Sequence, residues 1–245
     1  MTGHLLALAA AAAPAAAKPP AVQTPLWLDL LAVVVAAVSG AMAGVAQRFD
    51  IVGVTALAIL TGLGGGIIRD VLLGQTPVAV QGNRYIVAAV AAAGAGFLFA
   101  RWVQRLGWVL GIADAALLGL FGVIGTSKAL ANGFSVAPAV LVGVVTASGG
   151  GALRDVFSGK APEIFRPGEL YALAVLGGVL VFVGLDDWAG LRLGVSAPAS
   201  VLFTAALRLL AVRRGWTTPT AIDAPRVARR QALRHARRLE RLRRR

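Results

Sequence analysis

Cysteine is missing altogether, and histidine nearly so. Without Cys there are no disulfides and no thiolate metal sites. The two histidines, His4 and His235, lie in the terminal segments, so the core has no His-based triad or zinc site. Charge is scarce as well: Asp, Glu, Lys and Arg make up 14% of the 245 residues, against about 25% in an average soluble domain. With 58% hydrophobic residues and a mean hydropathy of +0.77, the composition is that of an integral membrane protein. Acids are the scarcer sign, 11 against 24 bases, for a net charge of +13. That excess is local: Arg226 to Arg245 holds ten arginines and one acid, Glu240, leaving about +4 elsewhere. Such a tail beside membrane spans marks the cytoplasmic side and meets anionic lipid. No nucleic-acid fold or aromatic platform accompanies it, so no nucleic-acid partner is expected.

Residues 1–25 form an Ala- and Pro-rich leader. Leu5 to Ala13 has the look of a short signal segment, but no Lys or Arg precedes it. Pro14, Pro19, Pro20 and Pro25 stop a helix from running onward, and the leader reads as flexible. About 20 apolar residues are needed to cross a bilayer. Seven stretches approach or meet this: Leu26 to Gly44, Ile51 to Leu73, Tyr85 to Ala100, Trp108 to Ala131, Val136 to Phe157, Leu170 to Leu185 and Val195 to Val212. Trp27, Trp102, Trp108, Trp188 and Trp216 fall at their ends, where interfacial tryptophans sit.

The apolar runs contain a duplication. Gly64-Gly65-Gly66-Ile67-Ile68-Arg69-Asp70-Val71 recurs 85 residues later as Gly149-Gly150-Gly151-Ala152-Leu153-Arg154-Asp155-Val156. At the same offset Asp29 matches Asp114, Gly40 matches Gly125, Thr61 matches Thr146, and Pro77 matches Pro162. The copies cover spans one to three (26–105) and four to six (106–190). Three is odd, so the second copy enters the membrane from the opposite side, as in inverted-repeat transporters and some channels. The seventh span (191–216) has no counterpart, and 217–245 is the basic tail. The fold expected is therefore all-α, with an inverted 3+3 repeat plus a seventh helix. One side of the spans receives Arg48, Arg101, Arg105, Lys160, Arg166 and the tail, while the other receives Lys18, Arg84 and Arg192. The N-terminus is then outside and the C-terminus cytoplasmic.

Three consecutive glycines weaken a helix at about 1 kcal/mol each, which predicts that helices two and five are broken within the bilayer. Bared carbonyls at that depth would line an ion or substrate path. Close helix packing is the alternative use of small residues. Arg69-Asp70 and Arg154-Asp155 are charges inside spans. Helix neighbours do not face each other, so each Arg is expected to pair with an acid on another span and to border a pathway. Snorkelling to the interface is the other reading. Lys128, in Gly125-Thr126-Ser127-Lys128, points to a polar lumen or to the same snorkelling. Asp29 and Asp114 open spans one and four, where they would cap helix N-termini or meet Arg69 or Arg154.

These residues are similar to a known family. GLGGGIIRDVLLGQTP, SGGGALRDVFSGKAP and the intervening GTSKAL resemble the bacterial branch of the trimeric intracellular cation (TRIC) channels, a branch also labelled a glycine-transporter domain. The resemblance runs from Leu26 to Trp216. It implies a homotrimer of the inner membrane with one pore per protomer between the two repeats, passing monovalent cations, chiefly K⁺, without a cofactor. By motif match it places Gly64, Gly65, Gly66, Arg69, Asp70, Lys128, Gly149, Gly150, Gly151, Arg154 and Asp155 on the pore, with Asp29 and Asp114 supporting. A secondary transporter for glycine or another small amino acid is the rival reading. An enzyme is not expected, since no nucleophile–base set lies in the spans.

Overall fold

Pro25 fixes the backbone at the start of the first helix, α1 (Leu26–Ala46), which ends in a turn with Arg48 at φ 59°. Asp50 then opens α2 (Ile51–Leu72), its Oδ1 accepting the Gly53 N–H at 2.7 Å. Beyond α2, Gly74 (φ 67°) reverses the chain into a 3-10 turn, Val78–Val80, and α3 (Asn83–Leu98) follows. This computed structural model describes residues 25–100, 105, 107–166 and 170–216. Nearly all of the leader, the arginine tail and Trp102 lie outside the described residues.

The second copy repeats the sequence of elements. It comprises α4 (Gly107–Ala131), α5 (Val136–Phe157), a 3-10 turn Glu163–Phe165 and α6 (Tyr171–Val183). Gly133 (φ 85°) stands where Arg48 stood, and Gly159 (φ 71°) where Gly74 stood. Both ends of α2 and α5, and both 3-10 turns, are displaced by the offset of the sequence repeat. The copies diverge at their third helix. α6 has 13 residues against 16 in α3, begins after Leu170 at φ 42°, and runs into a π-helical turn, Gly184–Trp188. The last helix, α7 (Leu193–Arg214), closes on Gly215 (φ 60°). Among the described residues, five helices are long and apolar enough to cross a membrane; α3 and the helical stretch from Tyr171 to Asp186 are apolar but shorter. The limits read from hydropathy fall within two residues of the observed helix ends for all seven helices described.

The expected breaks are not there. α2 and α5 are continuous α-helices through Gly64-Gly65-Gly66 and Gly149-Gly150-Gly151. The propensity cost of glycine is set by competition with water and chain entropy. Inside a bilayer an opened backbone group finds no water, so the helical hydrogen bonds persist.

The first copy packs around Val33, Ala37, Ala41, Val54, Ala58, Leu63 and the alanines of α3. The second packs around Leu118, Val123, Val140, Val175, Val179 and Phe182, with α7 laid against α4 and α6. Small residues set the spacing: a Cβ on Gly40 would strike the Thr61 side chain, and one on Gly125 the Thr146 side chain. The two copies meet chiefly where α2 crosses α5. Large apolar side chains, among them Leu98, Leu141 and Leu202, point outward, as do Trp27 and Trp108. This is a surface suited to lipid rather than water.

Candidate functional site

The α2–α5 crossing decides where everything else falls. A Cβ added to Gly65 would collide with the Thr146 carbonyl oxygen, and one added to Gly150 with the Thr61 carbonyl oxygen. Gly64 lies against Leu153 and Gly149 against Ile68, again a matched pair. Each contact is the other shifted by one repeat, the self-complementary pattern that an approximate twofold produces. The third glycines behave differently. A Cβ at Gly66 would find only the Arg69 guanidinium, at 3.9 Å, and one at Gly151 the Tyr171 hydroxyl at 3.2 Å. The first two glycines of each triplet therefore serve close packing, while Gly151 lies against the Tyr171 hydroxyl and Gly66 faces open space.

That space is two cavities, one on each side of the crossing. The larger, about 460 Å³, is lined by Asp29, Arg69, Asp70, Tyr85, Phe121 and Lys128 among others. The smaller, about 40 Å³, is lined by Ser39, Asp114, Phe121, Arg154, Tyr171 and the two crossing threonines, Thr61 and Thr146. Gly62, Gly66 and Phe121 line both.

In the larger cavity Asp70 is the hub. The turn at Gly74 brings the chain back so that the Val78 N–H donates to Asp70 Oδ2 at 2.9 Å. Arg69 Nε donates to Oδ1 at 2.8 Å, and Lys128 Nζ reaches the same oxygen at 3.0 Å. Asp70 is buried and Lys128 is part-exposed, so one carboxylate at membrane depth is shared by two cations. The second copy repeats the motif. The Glu163 N–H donates to Asp155 Oδ2 at 2.9 Å and Arg154 Nε to Asp155 Oδ1 at 2.9 Å. Arg154 Nη1 also donates to Ser39 Oγ of the first copy at 3.0 Å.

The expectation that each Arg pairs with an acid on another span is thus corrected: each pairs with its own neighbouring Asp. Helix neighbours diverge at Cβ, but the long Arg side chain folds back at the end of the helix. The Asp is held within reach by the backbone N–H of the following 3-10 turn. Lys128, by contrast, forms an ion pair across the two copies and lines the cavity, so it does not snorkel. The capping expectation fails for Asp114, which lies seven residues inside α4 because that helix begins at Gly107. Asp29 lies in the first turn of α1, where Pro25 rather than Asp29 is the cap, and Tyr85 Oη donates to its carboxylate at 3.4 Å.

Five residues were not foreseen. Ser39 and Glu163 have apolar counterparts, Ile124 and Val78, so the repeat carried no signal for them. Arg208, buried on α7, donates to Glu163 Oε1 at 2.7 Å and stacks 5.0 Å from the Tyr171 ring. An arginine inside the seventh apolar run was signal enough. Tyr85 and Tyr171 are the only tyrosines of the chain, one at the start of each third helix. They stand 86 residues apart, one off the register, and a strict search at the repeat offset misses them.

Comparison with known proteins bears on this arrangement. A family model described as a glycine transporter matches residues 26–101 and 111–187. The UPF0126 inner membrane protein YadS of Escherichia coli is 34% identical over 200 residues, spanning 80% of this chain and 96% of that protein. A UPF0126 membrane protein of Deinococcus radiodurans is 38% identical, over 62% of this chain and 72% of its own. Among solved structures, a TRIC cation channel described for the structural basis of its conductance superposes with a TM-score of 0.74 at 36% identity, covering 79% of this chain and 95% of that one. The TRIC orthologue from Rhodobacter sphaeroides gives 0.72 at 35% identity, covering 78% and 98%.

Proposed function

The chain belongs to the family that holds the UPF0126 membrane proteins and the TRIC cation channels, and from that premise we propose that it is a passive channel for monovalent cations, K⁺ foremost, of the bacterial inner membrane. It acts as a homotrimer in which each protomer carries its own pore between two inverted repeats. The observation that carries this reading is the pair of cavities flanking the α2–α5 crossing, each with an acid and an arginine on its lining, and with Gly62, Gly66 and Phe121 common to both. Together they trace a path between the copies. Arg69, Asp70, Lys128 and Asp29 border its wide end; Arg154 and Asp114 border its narrow end. With the N-terminus outside, the wide chamber, at the ends of α2 and α4 and the starts of α1 and α3, would open toward the exterior. The narrow one, at the starts of α4 and α6 and the ends of α5 and α7, would then open toward the cytoplasm.

Two cations in the wide chamber do not oppose cation passage. Arg69 and Lys128 share the Asp70 carboxylate, and Asp29 lines the same chamber, so two acids stand against the two bases and leave no net positive charge there. The related solved structures are described as cation channels, which supports a channel over an enzyme.

A second reading, a glycine transporter, is favoured by the family description and by a wide cavity large enough for an amino acid. Recording from purified protein in planar bilayers separates the two. Discrete K⁺ current steps are expected; saturable, gradient-coupled glycine uptake without steps would establish the transporter instead.

A further inference from the structure

We infer that Asp114 binds the permeating cation at the narrow end of the path and gives the protein its preference for cations over anions; this rests on the channel reading above. Asp114 lies inside α4, one of the helices long enough to span. Its sequence counterpart Asp29 is met by the Tyr85 hydroxyl. Asp70, Asp155 and Glu163 each accept hydrogen bonds or ion pairs. Among the described residues Asp114 has neither. The cation that lines the same cavity, Arg154, is already engaged: Nε with Asp155, Nη1 with Ser39, and Nη2 lies 4.0 Å from Glu163. A carboxylate left without a donor at membrane depth is costly unless it serves a ligand.

The cavity it lines is of the right size and chemistry. About 40 Å³ admits an ion with one or two waters, each of which needs about 10–15 Å³. Most of a hydration shell must therefore be replaced by protein oxygens. The Thr61 and Thr146 hydroxyls on the same wall donate their hydrogens to the Leu57 and Val142 carbonyls, both at 2.6 Å. With their protons committed, these oxygens turn lone pairs outward and act as neutral ligands. One carboxylate and two such hydroxyls at a constriction make a site for a singly charged ion.

The test is the reversal potential in planar bilayers under a KCl gradient, on wild type, Asp114→Asn and Asp114→Glu. Wild type and D114E should hold a potential near that of K⁺; D114N should assemble normally by size exclusion yet reverse near zero, its cation preference lost. D114N reversing where wild type does overturns the inference and leaves the channel reading standing. Absence of any current from wild type overturns both. Should D114N fail to assemble, wild-type crystals soaked in thallium(I) decide. Anomalous density between Asp114 and the crossing threonines supports the site, and its absence at Asp114 overturns it.

Discussion

The α2–α5 crossing can be tested with single methyl groups, because the structure assigns opposite outcomes to adjacent glycines. In Gly65→Ala the new Cβ falls on the Thr146 carbonyl oxygen, and in Gly150→Ala on that of Thr61. The obstacle is helical backbone, which cannot swing aside as a side chain would, so the helices must separate. Overpacking of this kind costs about 1–3 kcal/mol; against rigid backbone the upper part of that range, about 2–3 kcal/mol, applies, and the gain in helix propensity of about 1 kcal/mol recovers only part of it. A net loss near 1–2 kcal/mol lowers the thermal midpoint by about 2–4 °C per kcal/mol at this size. The double variant should lose less than the sum, because one separation of the helices accommodates both methyls. In Gly66→Ala the new Cβ finds only the Arg69 guanidinium at 3.9 Å. That variant should keep or gain about 1 kcal/mol in stability while its methyl narrows the junction of the two cavities and reduces ion flux. Thermal unfolding in detergent, size exclusion and flux would be read on the same preparations. Gly65→Ala unfolding at or above the wild-type temperature, or Gly66→Ala failing to assemble, would refute the geometry of the crossing.

Lys128→Met should remove one of two cations from Asp70, which keeps Arg69 and the Val78 N–H; assembly should survive and single-channel K⁺ conductance should rise, and unchanged conductance would deny Lys128 a place on the path. Arg208→Leu should lower stability by about 1–2 kcal/mol, less than a fully buried pair, because Glu163 is 39% exposed; unfolding in detergent checks this, and an unchanged midpoint would show the ion pair to be inert. A reporter fused after Arg245 should be cytoplasmic and one fused before Leu26 external, and both termini on one side would remove the inverted repeat.

How much of this was legible beforehand differs by level. The repeat was fully legible, since Gly-Gly-Gly and Arg-Asp at a fixed offset mark equivalent positions, and the observed helices keep that offset at α2, α5 and both 3-10 turns. What sequence could not decide was whether the triplets break or pack. That depends on what lies opposite, and only the fold places the Thr146 and Thr61 carbonyls against Gly65 and Gly150. The Arg-Asp pairing was misjudged because a rule about helix neighbours ignores the returning chain: the Val78 and Glu163 N–H groups hold the carboxylates in place. Lys128 was visible as an odd charge, but its partner, 58 residues away, was not.

The departures from symmetry are more informative than the symmetry. Both copies supply an Arg-Asp pair tied to a 3-10 turn, and this much is scaffold, present with the same geometry on both sides. Each side then receives one further cation that duplication did not provide. On the wide side it is Lys128, bound to Asp70, where Ala43 stands in the other copy. On the narrow side it is Arg208, brought by α7 from outside the repeat and bound to Glu163. Lys128 lines a chamber of about 460 Å³. Arg208 stacks on Tyr171, and the cavity that Tyr171 lines on that side is about 40 Å³. A structure with exact twofold symmetry would place equal barriers at both ends of the path. On the channel reading, α7, added on one side only, would make one end of the path a vestibule and the other a constriction, and at that constriction a single carboxylate would act on every ion that passes.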